Sequence, residues 1–386
     1  MNTKNSPSNG MDLKKDFKVE KLEGSRVKIT GEIPFEELAK HKAAAVKALG
    51  RNIKVDGFRE GHVSEAVLIA KVGEMAVLTE AAEKAISATY PKVVEIHELE
   101  TIGYPEISIT KIAEGSPLGF SATATVLPEI KLPDYKKIAK ELSGQKGEVS
   151  VTDEDVENQI KDILRQKAAY ERLQKKAAAG EKETHTHDDG TVHEGPAHDD
   201  DGKPLPDPDL VIPELTDKVV KTLGAPGQFE TVADFKQKLR EHLEIEKKRE
   251  AEGKHRANVT DKIIEGSHFE LPALLVDTEI AQMFGQMEED IKRAGLSMDD
   301  YLNHMKKTRE ELTKEWTPAA EKRARLQLVL NEIAKKEKVE PDPEAVETET
   351  KHLLEQYKNA DINRVRIYVA SVLQNEAVMK MLEAEK

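Results

Sequence analysis

The chain has no cysteine. That excludes disulfides and every cysteine-ligated metal site, and it fits a reducing compartment. Aromatic residues make up only 4% of 386 residues, whereas charged residues reach 34%. This composition describes elongated helices with much solvated surface rather than one thick core. No stretch approaches the ~20 apolar residues of a membrane-spanning helix, so no membrane partner is expected. Residues 1–11 are polar and contain no apolar run, so neither a signal peptide nor an anchor is expected. A cytoplasmic location follows as the expectation, and a periplasmic protein of similar helical build is disfavoured. No Ser-His-Asp, paired-carboxylate or phosphate-loop arrangement stands out. The run from Gly57 to Gly61 lacks the lysine and spacing of a nucleotide loop. No catalytic residue, cofactor or metal is therefore expected, and the length allows two or three domains.

Charge is unevenly spread. The formal net charge is −14. Residues 11–147 carry 21 cations and 21 carboxylates, while residues 148–386 carry 37 cations against 52 carboxylates. Within the neutral end sits a basic cluster. Lys40, Lys42, Lys47, Arg51, Lys54 and Arg59 face a single carboxylate, Asp56, between positions 40 and 59. Such a cluster suits phosphate or an acidic protein surface, although a solvated helix face is the commoner meaning of a charge run. An acidic body would be repelled by a polyanionic surface and leave the neutral end to meet it.

The most informative segment is Val55-Asp56-Gly57-Phe58-Arg59-Glu60-Gly61-His62-Val63-Ser64. It follows a helical pattern from Pro34 to Gly50, where Pro34 suits a first helical position and Gly50 the residue just past the end. Gly57 and Gly61 permit φ > 0 and a sharp turn, which would carry Phe58 and Arg59 to a loop tip. An apolar side chain beside an arginine is a typical docking pair. A plain helix-helix turn with Phe58 tucked into the core fits the same residues.

On those residues the segment resembles the ribosome-docking loop of the trigger factor family. That family's pattern is roughly Gly-Phe-Arg-x-Gly-Lys-x-Pro. Gly57, Phe58, Arg59 and Gly61 match, while Glu60, His62 and Ser64 depart from it and make the loop less positive. The resemblance extends along residues 11–130. Lys18–Glu20 and Arg26–Thr30 alternate as strands about a turn at Glu23-Gly24-Ser25. Helical patterns follow at about 64–72 and 74–98, with Pro91 as a bend or break. Ile107–Ile112 and Phe120–Val126 alternate again about Gly115-Ser116-Pro117, and Leu127–Ile130 is similar to the family's exit from this domain. The expected fold is an α+β N-terminal domain, an antiparallel sheet with helices, followed by an elongated all-α C-terminal domain with helical arms.

The second half is helical in pattern. Thr152 with Asp155 three residues on is close to a capping box and opens a helix to about Ala179. Residues 180–209 hold His185, His187, His193 and His198 among aspartates and prolines, with almost no apolar residue. A disordered, solvated linker is the expectation, since the irregular spacing offers no preorganised tetrahedron for a metal. Pro213–Gly224 reads as a short helix and Phe229–Phe235 as the start of a long one to about Gly266. Leu271-Pro272 starts another, with a face of Leu275, Ile280, Met283, Phe284, Met287 and Ile291. Thr308-Arg309-Glu310-Glu311 is a capping box ahead of Ala320, Leu326, Val329, Leu330 and Ile333, and Asp361 begins a final helix. The expected divisions are a disordered tail at 1–10, a ribosome-binding α+β domain at 11–130 and a linker with the first C-terminal-domain helix at 131–175. A disordered His/Asp/Pro-rich linker at 176–210 and a helical chaperone domain at 211–386 complete them.

The resemblance implies an ATP-independent chaperone that docks near the nascent-chain exit of the ribosome and holds unfolded segments of new proteins. Its implied partners are the ribosome, both protein and RNA at the exit tunnel, and unfolded nascent polypeptides; a homodimer off the ribosome stays open. The implied ribosome-binding set is Gly57, Phe58, Arg59, Glu60, Gly61, His62, Lys54 and Arg51. Met283, Met287, Met298 and Met305 are candidates for client contact, because methionine adapts to varied apolar partners; packing between arms is the plainer reading of each. Most family members carry a prolyl isomerase domain between the linker helix and the C-terminal helices. Residues 176–210 contain no Phe, Tyr or Trp to line a prolyl pocket, so no isomerase is expected. A ribosome-independent holdase, an isomerase through an unrecognised segment and a helical scaffold with one fixed partner remain alternatives.

Overall fold

The computed structural model describes residues 11–52, 65–144, 150–179, 184–186, 192–194, 211–225 and 227–385. They form two compact units, one from residues up to Tyr135 together with Lys262–Ala384, the other from Lys136–Asp261. The units thus divide the chain elsewhere than the boundaries expected near 130, 175 and 210. The docking-loop residues Lys54 and Gly57 to His62 lie outside the described residues.

The first unit begins with β1 (Phe17–Leu22) and β2 (Arg26–Ile33), then α1 (Phe35–Lys40), α2 (Lys42–Asn52), α3 (Glu65–Val72), α4 (Glu74–Ile96), β3 (Thr101–Lys111) and β4 (Leu118–Val126). The strands form an antiparallel sheet in the order β1-β2-β4-β3. Strand alternation sends Phe17, Ile29, Ile33, Phe120 and Ala122 to the face covered by α4, whose Val77, Ala81, Ala85, Ile86 and Val93 repeat at helical spacing. The rings of Phe17 and Phe120 stand 5.6 Å apart. Gly31 lets β1 approach this closely, since a Cβ there would meet the Asp16 carbonyl oxygen at 2.7 Å.

Two sequence expectations about these helices are corrected. The pattern from Pro34 to Gly50 is two helices, because His41 N–H donates to the Leu38 carbonyl at 3.0 Å and tightens the chain between them. Pro34 caps the first from outside, and the second runs through Gly50 to Asn52. Pro91 lies within α4 and does not end it.

The same unit resumes after the other with α9 (Ala273–Arg293), α10 (Met298–Met305), α11 (Arg309–Glu337), α12 (Pro343–Gln356) and α13 (Ile362–Ala384). Polar ties hold the two parts of the first unit together. The Gly24 N–H donates to the Glu270 carboxylate at 2.7 Å, and Ser25 Oγ donates to the Glu270 carbonyl at 2.7 Å. Lys131 and His268 exchange backbone bonds at 3.3 and 3.1 Å. Buried Tyr135 donates its hydroxyl to Glu337 at 2.5 Å; burial first, then that carboxylate, pushes the phenol pKa up.

The second unit holds most of α5 (Tyr135–Ser143), α6 (Asp153–Ala179), β5 (Thr184–Thr186), β6 (Val192–Glu194), α7 (Asp217–Val220) and most of α8 (Val232–Gly266). Its core joins Val156, Ile160 and Leu164 to Val220, Leu223 and Phe235, with Phe229 edge-on to Phe235 at 4.9 Å. Thr152 and Asp155 bond reciprocally, at 2.7 Å from the Thr152 N–H and 3.2 Å from the Asp155 N–H. Lys247 reaches the same carboxylate at 2.7 Å. Its ammonium, together with the Thr152 donors, holds the Asp155 carboxyl well below the usual range.

Two further expectations change here. The helix expected over Pro213–Gly224 is only the four residues of α7, capped by Thr216. The stretch expected to be disordered contains the antiparallel pair β5–β6, where Thr and Val supply strand-forming, β-branched residues. Among the described residues, no helix is long and apolar enough to cross a membrane.

Candidate functional site

The apolar stripe of α9 faces α11. Ile280, Phe284 and Ile291 are buried on the first helix, and Leu312 and Ala320 on the second. Trp316 lies on the same stripe as Leu312 and Ala320, four residues from each. Its ring stacks at a tilt on Phe284, 4.7 Å between centroids, and the Arg309 guanidinium caps Phe284 from 4.3 Å. That is a favourable cation–π geometry.

The turn after α9 shapes the open side. Gly295 takes φ 77°, its N–H donates to Lys292 O at 3.0 Å, and the Leu296 N–H donates to Ile291 O at 3.1 Å. This double bond is a Schellman motif, whose usual companion is an apolar contact between the residues here represented by Leu296 and Ile291. Ser297 then caps α10 by accepting from the Asp300 N–H at 3.1 Å. Thr308 and Glu311 complete the expected capping box of α11. The Thr308 backbone N–H and hydroxyl lower the Glu311 carboxyl below its usual range.

Between these elements lies a groove of about 570 Å³. Met283, Met287, Ile291, Leu296, Tyr301 and Trp316 supply its apolar and aromatic lining, and Asp290 and Arg323 stand among them. Two of the four candidate methionines therefore meet on one surface. Met298 and Met305 sit at the two ends of α10 and are not among its lining residues. Met305 is 46% exposed.

Sequence reasoning missed Trp316, Tyr301 and Leu296. The signal for Trp316 was its place, as the sole tryptophan, four residues from Leu312 and Ala320. It also missed the exposed apolar residues of α13, Ile367 at 71% and Tyr368 at 63%. Of the docking set, Arg51 alone is described; it is exposed in the last turn of α2, one turn beyond exposed Lys47.

The family model described as "Bacterial trigger factor protein (TF)" matches residues 15–163, and the model of that protein's C-terminus matches residues 231–386. Together they cover well over half of the chain. The trigger factor of Moorella thermoacetica is 25% identical, with 94% of this chain and 92% of that one aligned. That of Bacillus subtilis is 27% identical over 95% of this chain and 97% of its own length. That of Streptomyces coelicolor is 27% identical over 95% and 87%. A solved structure, "Promiscuous Substrate Recognition in Folding and Assembly Activities of the Trigger Factor Chaperone", is 15% identical over 96% of this chain with a TM-score of 0.48, a likeness too loose to build on.

Proposed function

The chain belongs to the trigger factor family of chaperones, and we propose that it docks beside the nascent-chain exit of the ribosome and holds unfolded segments there without ATP. The observation that carries the holding role is the groove between α9, α10 and α11. It leaves two methionines, a tryptophan and a leucine accessible where a folded core would cover them. Methionine's flexible, polarisable side chain suits many apolar partners, and shallow adaptable contacts suit clients of varied sequence. Covering exposed apolar segments during synthesis slows their aggregation.

Docking is assigned to Gly57, Phe58, Arg59, Glu60, Gly61 and His62, with Lys54 and Arg51 adding positive charge. In support, α2 and α3 pack on α4 and on each other, so the ends of the segment are anchored on a rigid core, and Lys47 and Arg51 share an exposed face leading into it. The chain works by binding rather than catalysis, in the cytoplasm. Residues 164–230 separate the two matched stretches, and the aromatic-free run within them cannot wall a prolyl site.

Ribosome co-sedimentation at low and moderate salt tests the docking, comparing wild type with the Phe58→Ala, Arg59→Ala double variant. Salt-sensitive binding that the variant loses is expected. Absence of wild-type binding at low salt would leave a ribosome-independent holdase, the reading that Glu60 and His62 favour.

A further inference from the structure

We propose that Arg323 makes the α9–α11 groove selective for unfolded segments that carry a carboxylate side chain among apolar residues; the inference rests on reading the groove as the holding surface. Two charged residues stand in its lining, Asp290 and Arg323, and they are not equivalent. Asp290 follows Met283 and Met287 on one stripe of α9, and its carboxylate is already engaged. Gln286 Nε2 donates to both of its oxygens at 3.2 Å, and the Arg293 guanidinium lies 3.6 Å away. Arg323 is exposed and, among the described residues, has neither a salt bridge nor a side-chain hydrogen bond. Its own helix explains this. Side-chain partners on a helix stand three or four residues away, and Ala319, Ala320, Leu326 and Gln327 occupy those positions.

Helical spacing carries Trp316, Ala320 and Arg323 along one face of α11, so the guanidinium continues the apolar stripe. Trp316 and Arg323 stand about 10 Å apart along the axis at ~1.5 Å per residue. An extended segment running along α11 spans that distance in roughly three residues. A segment that lays an apolar side chain against Trp316 therefore brings a side chain three positions away to Arg323. A guanidinium is permanently charged, weakly hydrated, and presents paired N–H donors that match a carboxylate. Beside apolar surface, an unanswered guanidinium favours an incoming carboxylate and disfavours an incoming ammonium. The Asp290 charge is met within α9, so the unanswered charge in the lining is positive. The chain as a whole carries −14 and opposes acidic segments at long range. The local effect of Arg323 is therefore read as coupling between two residues, not as raw affinity.

A double-mutant cycle between protein and peptide tests this. Short tryptophan-free peptides, each with a leucine-phenylalanine anchor and Glu, Gln or Lys three residues from it, are titrated into the full chain while Trp316 emission is followed. The Glu-over-Gln affinity ratio should be at least about threefold larger in wild type than in Arg323→Gln, on the scale of an exposed ion pair. That excess should shrink at high salt, and the Lys-over-Gln ratio should change in the opposite sense. Equal Glu-over-Gln ratios in the two proteins, or an excess that salt leaves unchanged, would overturn the proposal. If the Gln peptide still shifts Trp316 emission in that case, the groove stands as the holding surface and only the selectivity falls. No shift of Trp316 emission with any peptide would overturn both.

Discussion

The sheet-and-α4 core and the α9–α11 groove both gather apolar side chains and treat them in opposite ways. Over the sheet, Phe17, Ile29, Phe120 and Ala85 are essentially sealed, and alanines alternate with larger residues so that α4 sits close. At the groove, Met283, Met287 and Trp316 are only half-buried, and Leu296 is 51% exposed. A stable protein minimises such exposure, and a contiguous apolar surface rimmed by polar groups marks a place where something else binds. On the proposed function, the difference separates the part of the chain that is a platform from the part to which holding is assigned.

Substitutions at the two places should divide stability from client binding. Phe120→Ala removes a sealed ring from the sheet core and should cost about 3–5 kcal/mol in a denaturant melt, with client binding intact wherever the protein stays folded. Trp316→Ala removes a half-buried ring and its contact with Phe284; about 2 kcal/mol of stability is expected, with a marked loss in suppression of client aggregation. Thr308→Ala removes the cap of α11, at about 1 kcal/mol, and should leave client binding unchanged. Met287→Ala should cost less than about 1 kcal/mol, because the residue is half-buried, yet weaken client binding more than Thr308→Ala does. That crossing of the two scales is the sharpest form of the contrast.

The smallest effect concerns pH. Asp155 and Glu311 both have folded pKa values below their ordinary carboxylate values, Asp155 through Lys247 and Thr152, Glu311 through Thr308. A depressed folded pKa contributes stability that is full above the unfolded value and is lost as pH falls through the folded one. Acid melts of Asp155→Asn and Glu311→Gln should therefore show a shallower loss of stability below the ordinary carboxylate range than wild type.

How much of this was legible depended on whether the signal was local. Both N-cap pairs, Thr152 with Asp155 and Thr308 with Glu311, were readable because a cap needs only residues three apart. The four strands were readable from alternation, and the turns from Gly24 and Gly115. The break at His41 was not, because nothing in Glu37–Ala45 departs from a helical pattern and the interruption is a single tightened hydrogen bond. The helix Pro343–Gln356 went unread although Asp342-Pro343 is a good start signal. The groove was half legible. Met283 and Met287 follow from spacing on one helix, whereas their neighbours Trp316, Leu296 and Tyr301 come from other elements that only the tertiary fold brings beside them. The β5–β6 pair was hidden by its polar surroundings, where composition argues for disorder and a three-residue ladder leaves no periodic trace.

The sole tryptophan sits in the groove, which makes its intrinsic emission the most direct test. The chain would be titrated with a permanently unfolded, tryptophan-free polypeptide carrying a fluorescent label, following Trp316 emission and label anisotropy together. A saturable change in Trp316 emission that tracks the anisotropy is predicted, with both weakened by Met287→Ala. A rise in anisotropy with Trp316 emission unchanged would mean that clients bind elsewhere, and would contradict the assignment of holding to the α9–α11 groove.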